Sequence, residues 1–131
     1  MRIAQVAPLY ESVPPKTYGG TERVVSWLTE ELVRLGHDVT LFASADSMTT
    51  ARLVPCSPES LRLATGCIDQ LAHHLVQLEK VQQQKDEFDL VHFHTDYLHF
   101  PLSSRERYVN VTTLHGPVSY THLTLPTKRI V

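Results

Sequence analysis

The chain has 131 residues, a formal net charge of −2, 42% hydrophobic and 20% charged residues, which describes one domain or a piece of a larger protein with material for a real core. That balance excludes wholesale disorder and gives no electrostatic reason to expect nucleic acid or an anionic membrane as a partner. The N-terminus enters a strand without an apolar signal segment, and no apolar run is long enough to span a bilayer.

Ile3, Val6 and Ala7 form a short buried strand pattern, and Val24, Val25, Leu28, Leu32 and Leu35 recur at helical spacing. The connection between them, from Pro8 to Gly20, is long for a strand-to-helix junction, which usually takes about 2–6 residues, and its length suggests that it holds a ligand. Gly19 and Gly20 precede Thr21, the expected N-cap, so they stand where free backbone N–H groups and the positive helix end converge. Such a pocket favours a phosphate or a crowded sugar, and the bland alternative is a tight turn. The loop is neither a dinucleotide fingerprint nor a P-loop, because Lys16 precedes the glycines and no third glycine follows at the required spacing.

The first helix should end at Leu35 with Gly36 beyond it, followed by a second strand through Val39, Leu41 and Phe42. That strand closes on Ser44-Ala45-Asp46-Ser47, where Asp46 reads as a turn residue rather than a ribose ligand. Ala51 to Val54 can form a short strand, and the stretch through Pro55 and Pro58 reads as irregular. Ile68, Leu71, Leu75, Leu78 and Val81 step by three or four through a helix ending near Lys85, with His73 and His74 expected at its surface or half-buried. Phe88 to His94 and Tyr108 to Leu114 read as two further strands. Cys56 and Cys67 lack a C-x-x-C or metal spacing and suit reduced thiols in the cytoplasm, with one disulfide as the alternative.

Strands and helices in this order, with nearly continuous apolar strands, imply an open α/β fold built on a parallel sheet covered on both faces. Such sheets bind ligands beyond the carboxyl ends of their strands. The Gly19-Gly20 loop, His94-Thr95-Asp96 and His115-Gly116-Pro117 all follow strands and should therefore meet on one edge.

Those residues resemble the amino-terminal, Rossmann-like half of a retaining nucleotide-sugar glycosyltransferase of the GT-B architecture, a group that includes sucrose synthase and bacterial mannosyltransferases. The resemblance rests on Met1-Arg2-Ile3-Ala4, Tyr18-Gly19-Gly20-Thr21-Glu22, Leu35-Gly36-His37-Asp38-Val39, Asp89 to His94, and Thr113-Leu114-His115-Gly116. It implies that Gly19 and Gly20 approach the donor diphosphate, with Lys16 adding charge nearby or remaining a solvated loop residue. It further implies that His115 contacts the donor sugar near the reacting centre and that His94 and Asp96 meet the acceptor. The implied reaction moves a sugar from a nucleoside diphosphate sugar to an acceptor hydroxyl with retention, without a cofactor or a metal. The family's E-x₇-E nucleotide motif belongs to a second domain, so the resemblance makes this chain half of an active site, expected to be inactive alone. Residues 1–117 correspond to the first domain; Val118 to Thr127 is similar to the translated end of a transposase-based sequencing adapter, which would make residues 118–131 a non-native tail.

Two rival readings follow from the residues themselves. His92-Phe93-His94-Thr95-Asp96 has the H-x-H-x-D form that can gather zinc in a metal-dependent hydrolase, with His99 and His115 as further ligands. A non-catalytic binding module for carbohydrate or protein is the other.

Overall fold

The computed structural model describes residues 1–115. Five parallel strands, β1 (Arg2–Val6), β2 (Asp38–Ser44), β3 (Arg52–Ser57), β4 (Leu90–Phe93) and β5 (Asn110–Thr112), form one sheet in the order β3-β2-β1-β4-β5. Helix α1 (Gly20–Arg34) crosses from β1 to β2, and α2 (Gln70–Gln84) leads from β3 towards β4. A single-turn α3 (Phe100–Ser103) lies between β4 and β5. The order reverses between β1 and β4, which creates a crevice at their carboxyl ends.

Side chains alternate across the sheet, and the register sorts the core into two layers. Ala4, Val6, Phe42, Val91 and Phe93 pack with Leu78 and Val81 of α2, while Ala7, Leu41 and Ala43 pack with Val25 of α1. The expected α1 stripe is only partly right: Val25 is buried, but Val24 and Leu35 are exposed, as is Trp27. The face turned inward carries Glu22, Val25, Ser26 and Thr29, and the short side chains of the last three let the helix lie close to the sheet. At the other end of α1, Gly36 at φ 93° lets its own N–H donate to the Val33 carbonyl and the His37 N–H donate to that of Leu32. This pair of hydrogen bonds closes the helix where the sequence places its end.

Two further expectations are corrected. The strand reaches past Val54 to Ser57 and includes Pro55, because β3 lies on the sheet edge, where a missing N–H is tolerated. Helix α2 starts after Asp69, whose carboxylate accepts from the Leu71 and Ala72 amides, so Ile68 lies outside it and is fully exposed. Leu71 and Leu75 are exposed too.

The inner face of α2 is instead His74, Gln77, Leu78 and Val81, and His74 is only 2% exposed rather than at the surface. The reason is a backbone need: the loop after β1 turns through the core and must place its polar groups. His74 Nε2 accepts from the Leu9 N–H at 3.1 Å, its Nδ1–H donates to the Gln70 carbonyl, and the Gln77 amide donates to the Ala7 and Phe42 carbonyls. Replacing His74 by Ala should orphan the Leu9 N–H and open a void, lowering stability by about 2–3 kcal/mol, whereas His73→Ala should cost under about 0.5 kcal/mol. Urea midpoints of the two variants check this, and equal midpoints would contradict the anchoring role.

Candidate functional site

A cavity of about 440 Å³ opens at the carboxyl edge of the sheet where the strand order reverses. Gly19, Gly20, Thr21 and Glu22 form one wall, Thr95, Asp96 and Tyr97 another, and His94 and His115 lie between, with Tyr10, Arg62 and His74 closing the side. Of the residues singled out in the sequence, Gly19, Gly20, His94, Asp96 and His115 come together here. Lys16 is exposed and does not line the cavity.

The loop that carries the glycines is tied down along its length. The Leu61 and Arg62 amides donate to the Leu9 and Tyr10 carbonyls, and the Val13 N–H donates to Ser47 Oγ. Asp46 serves the neighbouring turn, accepting from Ser44 Oγ at 2.6 Å and from the Ser60 amide at 3.1 Å, as its turn assignment expects. Glu11, buried under the loop, pairs with Arg62 at 2.9 Å.

The two glycines differ in kind. Gly19, at φ 153°, is the N-cap of α1, which corrects the assignment of Thr21 to that position. A Cβ on Gly19 would stand 3.0 Å from Pro15 Cβ, 3.1 Å from Glu11 Cγ and 3.2 Å from a Glu22 carboxylate oxygen. Its backbone and its crowding both demand glycine, which is reason enough for a turn. Around Gly20 a Cβ would meet nothing within 4 Å. Packing within the described residues therefore does not explain the missing side chain at Gly20, on the cavity wall in the first turn of α1. Glu22 stands two residues on, and burial raises its carboxyl above the ordinary glutamate range, with its own backbone amide opposing and Glu11 reinforcing the shift.

Behind the cavity lies a connected set of imidazoles, which sequence reasoning did not foresee. Register pairs Gln5 with His92, and alternation puts His94 on the same sheet face. His94 Nε2–H donates to Gln5 Oε1 at 2.8 Å, and His94 Nδ1 is hydrogen-bonded to His115 Nε2 at 3.0 Å. The Gln5 amide reaches His92 Nδ1 at 3.5 Å, and His92 Nε2 is hydrogen-bonded to Thr113 Oγ1 at 2.7 Å. Burial drives the His94 pKa down to about 2, assisted by His92 and His115, and that of His92 to about 4. Burial also lowers that of His115, with Asp96 pulling the other way. All three rings are therefore neutral near pH 7, and each can donate through one nitrogen only.

The H-x-H-x-D pattern is used differently from a zinc site. Both ring nitrogens of His92 and of His94 are taken up within the protein, and His99 stacks on Phe93 with its own nitrogens bonded to Thr95 and Thr112. Among the described residues no group of three or more His, Cys, Asp or Glu side chains is placed to share a metal ion. Asp96, at φ 52°, makes the bend that follows β4, a left-handed conformation that aspartate tolerates better than most residues.

Residues 18–130 match the sequence model of Glycosyltransferase Family 4. The chain belongs to that family. Its fold is that of the amino-terminal, Rossmann-like half of a GT-B glycosyltransferase. A structure of a glycosyltransferase involved in avilamycin A biosynthesis superposes with a TM-score of 0.60 at 24% identity, over 88% of this chain and 32% of that one. Sucrose-phosphate synthase from Thermosynechococcus elongatus gives 0.59 at 16% identity, over 92% and 35%. The C-terminal domain of a coenzyme A biosynthesis bifunctional protein gives 0.56 at 16%, over 92% and 68%, so the fold is shared beyond sugar transfer. This family member spans about a third of the length of the first two structures. No curated protein sequence matches it.

Among the described residues no helix is long and apolar enough to cross a membrane. Cys56 and Cys67 are both free thiols, and burial pushes that of Cys56 up to about 11. Gly116, Pro117 and the proposed boundary and tail at 118–131 lie outside the described residues.

Proposed function

We propose that this chain supplies the acceptor-facing half of a retaining glycosyltransferase, which moves a sugar from a nucleoside diphosphate sugar to an acceptor hydroxyl without a metal or other cofactor. The carrying observation is the meeting of the α1 N-terminus, Asp96 and His115 in one cavity at the reversal of strand order. In this reading the amides of the first α1 turn and the positive helix end stabilise the leaving diphosphate, and Gly20 keeps the approach clear. The acceptor oxygen attacks the anomeric carbon from the face the diphosphate leaves. The bond from that carbon to phosphate oxygen breaks as the new glycosidic bond forms, and the acceptor proton passes to the departing phosphate oxygen.

His115 contacts the donor sugar, and Asp96 accepts from an acceptor hydroxyl. His94 has both ring nitrogens occupied by protein partners, so its part is support rather than direct contact with the acceptor. Lys16, outside the cavity, takes no part. A second domain supplies the remaining donor contacts.

The test needs the longer parent with its second domain, assayed against a panel of nucleoside diphosphate sugars with the product anomer read by NMR. Transfer with the donor's anomeric configuration, unaffected by chelator, is expected; an inverted product or dependence on a metal overturns the reading. The 131-residue chain alone should bind such donors no better than about millimolar, roughly 4 kcal/mol, and micromolar binding by calorimetry would contradict a shared site.

A further inference from the structure

We infer that Gln5 is a positioning residue for His115: through His94 it selects which nitrogen of His115 carries the proton, so that His115 meets the substrate through an Nδ1 lone pair as a hydrogen-bond acceptor. The functional half of this inference rests on the transferase reading above; the tautomer itself does not.

The geometry gives the chain a direction. A neutral imidazole has one donor and one acceptor, so each link dictates the next. Gln5 Oε1 can only accept, which makes His94 Nε2 the protonated nitrogen at 2.8 Å and leaves His94 Nδ1 to accept. His115 Nε2, 3.0 Å from that nitrogen, must then donate, and its own lone pair is left on Nδ1. The amide nitrogen of Gln5 faces His92 Nδ1 and continues the chain to Thr113. Turning the Gln5 amide over would present a donor to His94 and reverse both tautomers, so one side chain decides the outcome for a ring two links away.

Gln5 is placed for this by the fold. It is 1% exposed in the middle of β1, where a shorter apolar residue would satisfy the sheet, and His94 is equally enclosed. A polar amide at that depth is retained at a desolvation cost that its two histidine bonds offset. The consequence is a preference for substrates that carry a hydroxyl donor at the His115 contact over analogues in which that oxygen is blocked or absent.

The test is ¹⁵N NMR of the 131-residue chain with labelled histidine at neutral pH, where long-range proton couplings distinguish the two nitrogens. His115 should be a single Nε2–H tautomer. Gln5→Met, similar in length and without either bond, should give a mixture, and Gln5→Glu, which still offers an acceptor to His94 Nε2, should restore the single form. An Nδ1–H or mixed His115 in the unaltered chain overturns the inference, as does a folded Gln5→Met with an unchanged His115. If Gln5→Met fails to fold, the unaltered chain and Gln5→Glu still decide. In the longer parent Gln5→Met should lower kcat on the order of tenfold, with donor KM little changed, because the altered tautomer acts on a contact to the reacting sugar rather than on donor binding as a whole. An unchanged kcat alongside a scrambled tautomer removes the functional half. Absence of any transfer by the parent counts against the transferase reading and leaves the tautomer result standing.

Discussion

Lowering the pH from 7 to 5 should destabilise this chain by on the order of 5 kcal/mol, enough to unfold many domains of ordinary stability. The cause is three neutral histidines, His94 and His99 buried and His92 half-buried: desolvation takes His94 to about 2, His99 to about 3 and His92 to about 4. In the unfolded chain each returns to about 6.5 and binds a proton that the folded form refuses. A depressed histidine contributes stability that is fully present above the unfolded pKa and is lost as pH falls below it. Each therefore withdraws about 1.4 kcal/mol per pH unit below 6.5 until its folded value is reached. His74, lowered mainly by burial, acts in the same direction, and the raised Glu22 offsets part of one histidine because it takes up a proton more readily when folded. Asp89, held below the usual carboxylate range by Arg2, releases its contribution only at lower pH, so the window between 5 and 6.5 belongs to the histidines. Urea midpoints should be level from pH 7 to 8 and fall steeply below 6.5. A midpoint at pH 5 equal to that at pH 7 would show that these rings are not held neutral in the folded chain.

The second large effect is expected at Gly20 in the longer parent. Gly20→Val places a branched side chain on the cavity wall at the α1 N-terminus, where the Cβ itself meets no neighbour within 4 Å. The fold should therefore tolerate it, at a helix-propensity cost near zero since valine replaces glycine. Turnover should drop at least about a hundredfold, the scale seen when a developing oxyanion loses one preorganised donor. Gly19→Ala should do the reverse, destabilising the chain through its φ of 153° and its 3.0 Å contact before any question of activity arises. The comparison separates a glycine kept for its backbone from one kept for its neighbour. A stable Gly20→Val enzyme with near-parental kcat would reduce Gly20 to a turn residue.

The sheet was legible in the sequence because its strands are mostly apolar and its first helix is bounded by glycines with distinct jobs. Gly36 marks one end of α1 through a left-handed φ that sequence statistics capture well. The other end misleads, since Thr21 has the chemistry of a cap while Gly19 has the only backbone that fits between Glu11, Pro15 and Glu22. The faces of both helices were read from hydrophobicity alone, and that fails where polar side chains are needed inside. His74 and Gln77 are buried because the loop after β1 carries amide and carbonyl groups through the core, a demand no local pattern announces. The convergence of Gly20, Asp96 and His115 follows from topology, so it needed only the strand order. The links from Gln5 through His94 to His115 needed register between β1 and β4, which apolar runs do not specify.

Pro55 on the outer strand has a consequence for how copies of this chain meet. A parallel sheet left with a bare margin invites another molecule to add a strand there. Along β3 that invitation is withdrawn at one position on two counts: Pro55 has no N–H to offer, and its carbonyl already accepts from the Lys80 ammonium at 2.8 Å. A strand laid alongside would find no donor at that rung and an acceptor already engaged, and would bring its own backbone against the Lys80 ammonium. Fibrous, strand-to-strand growth is thereby discouraged on the β3 side.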